Sequence, residues 1–203
     1  EKYPFIWASV GIHTHEVGKA PENAIETLKA LLTHPRVVAL GEIGLDYYYN
    51  NSPRDVQIGW FERQLDLAVK MDKPVIIHDR EAHQDTLDML RKYRPKGVVH
   101  CFSGSVEMAR EVLSLGMYIS LGGAVTFKNA KKPVEVAAMV PEDRLVLETD
   151  APYLAPVPFR GTRCHSGLIA YTAQKIAEIR GVTVDQLLGK TCENACRLFG
   201  ITL

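Results

Sequence analysis

Short apolar runs alternate along this chain with longer segments whose apolar positions recur at helical spacing. The runs are Phe5–Ile12, Val37–Gly41, Val75–Ile77, Gly97–Val99, Met117–Leu121 and Leu145–Leu147. They are apolar almost without interruption, as strands covered on both faces are. Helices are predicted over 21–33, 53–71, 81–93, 105–115, 130–140, 167–180 and 191–199. Pro21 and Glu22 make a good first turn. Ile58, Phe61, Leu65 and Ala68 share one face of the 53–71 segment. Thr183 followed by Gln186 has the form of a capping box.

Strand, helix, strand in regular succession is the mark of parallel βαβ units, so the predicted class is α/β. Two architectures fit, a (β/α) barrel and a doubly wound open sheet. No G-x-G-x-x-G follows any strand, which removes the usual dinucleotide-binding form of the second. Only six good strands are evident, against the eight of the familiar barrel.

Composition narrows the classes. The 203 residues suffice for one sizeable core, and 46% hydrophobic with 24% charged residues is ordinary for a globular protein. No apolar run approaches the ~20 residues of a membrane span, and no secretory leader is visible. Lys and Arg balance Asp and Glu to a net charge of +0, so any site for a polyanion must be local. Cys101, Cys164, Cys192 and Cys196 form no C-x-x-C pair. They read as reduced thiols of a cytoplasmic protein, not as a disulfide framework or zinc knuckle.

The chemistry lies where the apolar runs stop. The stretch "KPVIIHDRE" passes from a core strand directly into His78, Asp79, Arg80 and Glu81. His13 and His15 follow the first run, and Glu42 and Asp46 the second. His100 and Ser103 follow the fourth, and Glu148 and Asp150 the last. In parallel α/β folds ligands bind at the C-terminal strand edge, so these groups are expected to pool there. Imidazoles with carboxylates suit one or two divalent ions. Any one of them alone would be an ordinary loop residue or cap; their coincidence on one edge carries the reading. Tyr47, Tyr48 and Tyr49 could stack bases or simply pack as a loop. Arg80, Lys128, Lys131, Lys132, Arg160 and Arg163 fall in or near the same loops, as a phosphate-bearing substrate would want.

Taken in order, "GIHTHE", "GEIGLDYYY", "KPVIIHDRE", "VVHCFSGS", "LGGAVTF", "LVLETDAPYL" and "ENACRLFG" resemble the TatD family of metal-dependent deoxyribonucleases over essentially the whole chain. The resemblance implies a TIM-like (β/α) barrel, here incomplete with about six of eight strands. It implies one hydrolase domain over residues 1–203, truncated at its N-terminus relative to the family. The activity it implies is cleavage of DNA phosphodiester bonds by metal-activated water. By motif, Glu42, His78, His100 and Asp150 would hold one or two divalent ions (Mg, Mn or Zn), with Glu42 and Asp150 catalytic. His13, Arg80 and Ser103 would contact substrate. The partner would be DNA, not a membrane; the oligomeric state is not fixed by the sequence, with a monomer favoured.

Two departures stand out. The family's opening His-x-His is absent, and His13-Thr14-His15 does not replace it, because "GIHTHE" matches a later strand. In "GTRCHSG", Arg163 fits the family's turn while Cys164 and His165 do not. Two other readings keep the same residues. One is an amidohydrolase-like enzyme acting on a small ester or amide, although no strand ends in its customary lysine. The other is a catalytically impaired remnant acting as a binding protein.

Overall fold

The computed structural model describes residues 2–202. Among them, six strands alternate with helices: β1 (Ala8–Val10), α1 (Ala24–Leu31), β2 (Val37–Asp46), α2 (Arg54–Lys70), β3 (Val75–Arg80), α3 (His83–Tyr93), β4 (Gly97–Val99), α4 (Val106–Ser114), β5 (Tyr118–Leu121), α5 (Lys131–Met139), β6 (Leu145–Leu147), α6 (Ile169–Arg180) and α7 (Val184–Phe199). The class is α/β. The chain forms two compact units, one up to Val98 together with the residues from Cys196 onward, the other Val99–Ala195. No described helix is long and apolar enough to cross a membrane.

In the first unit β1 pairs with β2 and β2 with β3, both in parallel. Leu40, Ile43, Leu45, Val75 and Ile77 are fully buried. β1 is shorter than the expected Phe5–Ile12, pairing only over Ala8–Val10, and β5 starts one residue later than expected, at Tyr118. Two strands are longer than expected, for one reason. β2 does not stop at Gly41 but runs on to Asp46, and β3 runs on to Arg80. The ladder continues through Gly44–His78, Leu45–Asp79 and Asp46–Arg80. Glu42, Asp46 and His78 therefore sit within strands, not in the loops after them. A polar residue interrupted the apolar pattern while the backbone pairing went on.

α2 supplies the unit's helical layer. Its buried face is Gln57, Trp60, Phe61, Gln64, Leu65, Leu67 and Ala68. Ile58, expected on that face, is only partly buried. The two glutamines take its place in function, as described below.

In the second unit β5 and β6 pair in parallel, Ile119 beside Leu145 and Leu121 beside Leu147. The Ser105 side chain caps α4 by accepting from the Met108 amide. The capping box ahead of α7 forms as expected: Gln186 Oε1 accepts from the Thr183 amide at 3.0 Å, and Thr183 Oγ1 from the Gln186 amide at 3.2 Å. α7 then runs unbroken from Val184 to Phe199, longer than the 191–199 segment expected. Asn194, fully buried, anchors it by donating to the Glu142 and Leu145 carbonyls at 2.7 and 2.8 Å.

Candidate metal centre

The site in the first unit is built by the spacing E-x-G-x-D in β2. Glu42, Gly44 and Asp46 alternate onto one face of the strand. Gly44 lies opposite His78, and the β2–β3 register shifts between Gly41 and Ile43, at Glu42. Such an irregularity re-aims a side chain, a common device beside active sites. Gly44 contributes by having no side chain. Its φ is +146°, and an added Cβ would fall 1.9 Å from the His78 carbonyl oxygen. The strands can approach this closely only because the residue is glycine. The His78 ring then lies between the two β2 carboxylates: Nδ1 is 2.7 Å from Glu42 Oε1, and Nε2 is 3.1 Å from Asp46 Oδ2.

His13 comes from the segment after β1, and its Nε2 is 3.3 Å from the same Glu42 oxygen. His13, Glu42 and His78 thus offer ligand atoms that all lie within 4.8 Å of one another. His15 joins them from two residues on, its Nε2 2.9 Å from Asp46 Oδ2.

Asp46 is the anchor of this cluster. It is fully buried, and Oδ1 accepts from the Tyr48 and Tyr49 amides at 3.0 and 2.8 Å. Burial alone would raise its pKa. Hydrogen bonds from the Tyr49 backbone, His15 and His78 outweigh that penalty and leave it below the ordinary carboxylate value. An ionised Asp46 is an acceptor for a hydrogen bond from the His78 Nε2–H. With Nε2–H so engaged, Nδ1 faces Glu42 Oε1 at 2.7 Å, a pair that a proton or a metal ion between them would satisfy. Two imidazoles and a carboxylate suit Zn and other first-row divalent ions. The residues present fit a metal.

Two buried glutamines hold the supporting backbone. Gln57 Nε2 donates to the Asp46 and Ser52 carbonyls, and its Oε1 accepts from the Asp46 amide at 2.8 Å and the Thr14 hydroxyl at 2.5 Å. Gln64 accepts from the Ile12 amide at 2.8 Å and donates to the Ile12 carbonyl at 3.1 Å. Thr14 and Ile12 flank His13, so α2 fixes the ring's origin. Nothing in the sequence marks these residues, because a glutamine on an apolar helix face carries no motif.

The second unit holds the other expected residues. His100 Nδ1 lies 3.5 Å from Glu148 Oε1, and Glu148 Oε2 accepts from Ser120 at 2.6 Å. Glu148 Oε1 is buried without a hydrogen-bond partner. That makes Glu148 a polar group of the kind a cation or bound water would satisfy, beyond the set expected from motif. The Asp150 carbonyl accepts from the Tyr153 amide at 2.6 Å, in a turn. Ser103 is exposed. Cys164, where the motif departs, is buried against Ala155, Leu168 and Phe159, which explains an apolar residue there by packing.

A family model described as TatD related DNase matches residues 1–200. The chain belongs to that family. A TatD-family relative from Bacillus subtilis, YabD, described as an uncharacterized metal-dependent hydrolase, is 44% identical over 99% of this chain and 80% of its own length. A relative from Citrobacter rodentium named 3'-5' ssDNA/RNA exonuclease TatD is 36% identical over the whole of this chain and 80% of its own. The crystal structure of YJJV, a TatD homolog from Escherichia coli K12, matches with a TM-score of 0.92 at 32% identity, covering 98% of this chain and 79% of that one. The TIM-like barrel type expected from the motifs is therefore the fold of this TatD-family chain, and the chain is a metal-dependent hydrolase.

Proposed function

We propose that this TatD-family hydrolase cleaves phosphodiester bonds in DNA, as one domain formed by the whole chain. The observation that carries the reading is the convergence of His13, Glu42 and His78, whose ligand atoms lie within 4.8 Å of one another. In this reading Glu42 and His78 hold one or two divalent ions, Mg, Mn or Zn. The family motif adds His100 and Asp150 as ligands. A divalent ion at such a site lowers the pKa of bound water and neutralises charge developing on a phosphoryl oxygen.

The remaining chemistry falls to the chain itself. Asp46 fixes the His78 ring by its Nε2, so Nδ1 faces the site. Asp150 accepts a proton from the attacking water. His13 and Arg80, with Ser103, contact the phosphate being cleaved. The 3.3 Å approach of its ring to Glu42 supports a role for His13 beside the ion.

The test is hydrolysis of an end-labelled oligonucleotide by the pure chain with each divalent ion, beside hydrolysis of small carboxylic esters. Cleavage of the oligonucleotide that stops on chelation and in Glu42→Gln is expected. Turnover of esters with the oligonucleotide left intact would transfer the chain to the amidohydrolase-like reading. No turnover of either by the metal-loaded chain would make it a binding protein.

A further inference from the structure

The tyrosine run after β2 divides by environment. Tyr47 is packed: its hydroxyl donates to Asp85 Oδ2 at 2.5 Å, and the Arg54 guanidinium covers its ring at 4.2 Å. Tyr48 and Tyr49 are 61% and 55% exposed, a large aromatic area to leave in water. Their rings stand edge to face, 5.0 Å between centroids. The Arg80 guanidinium lies in the angle between them, 4.1 Å from one ring centre and 4.5 Å from the other. Among the described residues no carboxylate pairs with Arg80, so it brings an unneutralised positive charge to the platform.

The position of this platform is set by the metal centre. The Tyr48 and Tyr49 amides are bound to Asp46 Oδ1, and Arg80 is two residues beyond His78 on β3. The Tyr49 ring is 5.5 Å from that of His15, which in turn is 4.5 Å from that of His13. Exposed rings with a guanidinium against them, one ring removed from a phosphate-cleaving site, suit a ligand with a flat π face and an adjoining anion. An unpaired nucleotide has both. In a duplex the base faces are covered by their neighbours and must be unstacked first.

Resting on the nucleic-acid reading above, we propose that Tyr48, Tyr49 and Arg80 form a specificity subsite that stacks one unpaired nucleobase beside the scissile phosphate. The two rings take the base, and Arg80 stiffens the platform while its N–H edge meets the adjoining phosphate. The subsite reads a base face and no base edge. It therefore favours unpaired ends over paired ones and is indifferent to sequence.

The test compares kcat/KM of the metal-loaded enzyme on a single-stranded oligonucleotide and on the same strand with stable tetrahydrofuran abasic analogues at the cleaved end. The wild type is expected to prefer the base-bearing strand by at least about tenfold. Tyr48→Leu/Tyr49→Leu should bring that ratio close to unity, whereas Tyr49→Trp, which keeps a stacking face, should preserve it. Both tyrosines are largely exposed, and unchanged thermal unfolding would confirm that the variants fold. A wild type that cleaves both strands equally well, or a double variant with its preference intact, overturns the subsite and leaves the nuclease reading standing. A wild type that cleaves neither strand removes the nuclease reading and the subsite with it.

Discussion

His78 and Asp46 meet at 3.1 Å, Nε2 to Oδ2, on adjacent parallel strands. The contact gives the imidazole one orientation, because the carboxylate is buried and itself held by two backbone amides. The nitrogen turned toward Glu42 is thus set by a residue outside the His13, Glu42 and His78 group. Partners of this kind typically change metal affinity ~10–100-fold when removed. Asp46→Asn is expected to weaken manganese binding by that order, measured by isothermal titration. His78→Ala, which removes a ligand atom, should weaken it further. Equal affinity in wild type and both variants would remove Glu42–His78 as the centre.

Asp46 also links stability to pH. Its folded-state pKa lies below the ordinary value of 3.8. Its contribution is therefore complete above that value and is lost as pH falls through the lower, folded-state value. Urea unfolding across the acid range should show wild-type stability falling with pH in this window. Asp46→Asn should show a shallower fall there and lower stability at neutral pH.

Gly44→Ala should be the most damaging single methyl group in the first unit. The added carbon would meet the His78 carbonyl at 1.9 Å in a backbone conformation that L side chains rarely adopt. Strain of this kind costs ~1–3 kcal/mol before any clash is relieved. Chemical denaturation should report a loss at or above that range, and metal affinity should fall with it because β2 and β3 must part. Gly59, with open space about it, is the control: Gly59→Ala should be neutral or stabilising.

Gln57→Leu keeps the helix face apolar but leaves the Asp46 amide and carbonyl without their side-chain partners. Unsatisfied buried groups cost ~1–3 kcal/mol each. Unfolding should be easier by a few kcal/mol at most, with a parallel loss of metal affinity. A stability loss with metal binding intact would separate Gln57 from the site.

The strands that were legible in full are those whose residues are apolar to the end. Gly97–Val99 and Leu145–Leu147 have the same bounds in sequence and structure. By its pattern β2 ends at Gly41, because the half that carries Glu42, Gly44 and Asp46 does not look like a core strand. The pooling of His13, Glu42 and His78 could be expected, since each directly follows an apolar strand run in the sequence. Asp46 was visible as a strand-end carboxylate, yet nothing in its spacing distinguished an anchor from a ligand. Gln57 and Gln64 were invisible because their partners are backbone atoms, which every residue possesses.

Gln64 reaches Ile12 through both its amide groups, in the manner of a neighbouring strand, although it belongs to a helix. Gln57 grips Thr14 from the same cylinder, seven positions earlier. Seven positions are close to two turns of an α-helix, so both grips work only in one rotational phase. One residue inserted between them would swing one glutamine roughly 100° around the axis and release the stretch that carries His13. Natural variation in the length of α2 should therefore gather at its ends, before Gln57 or after Gln64.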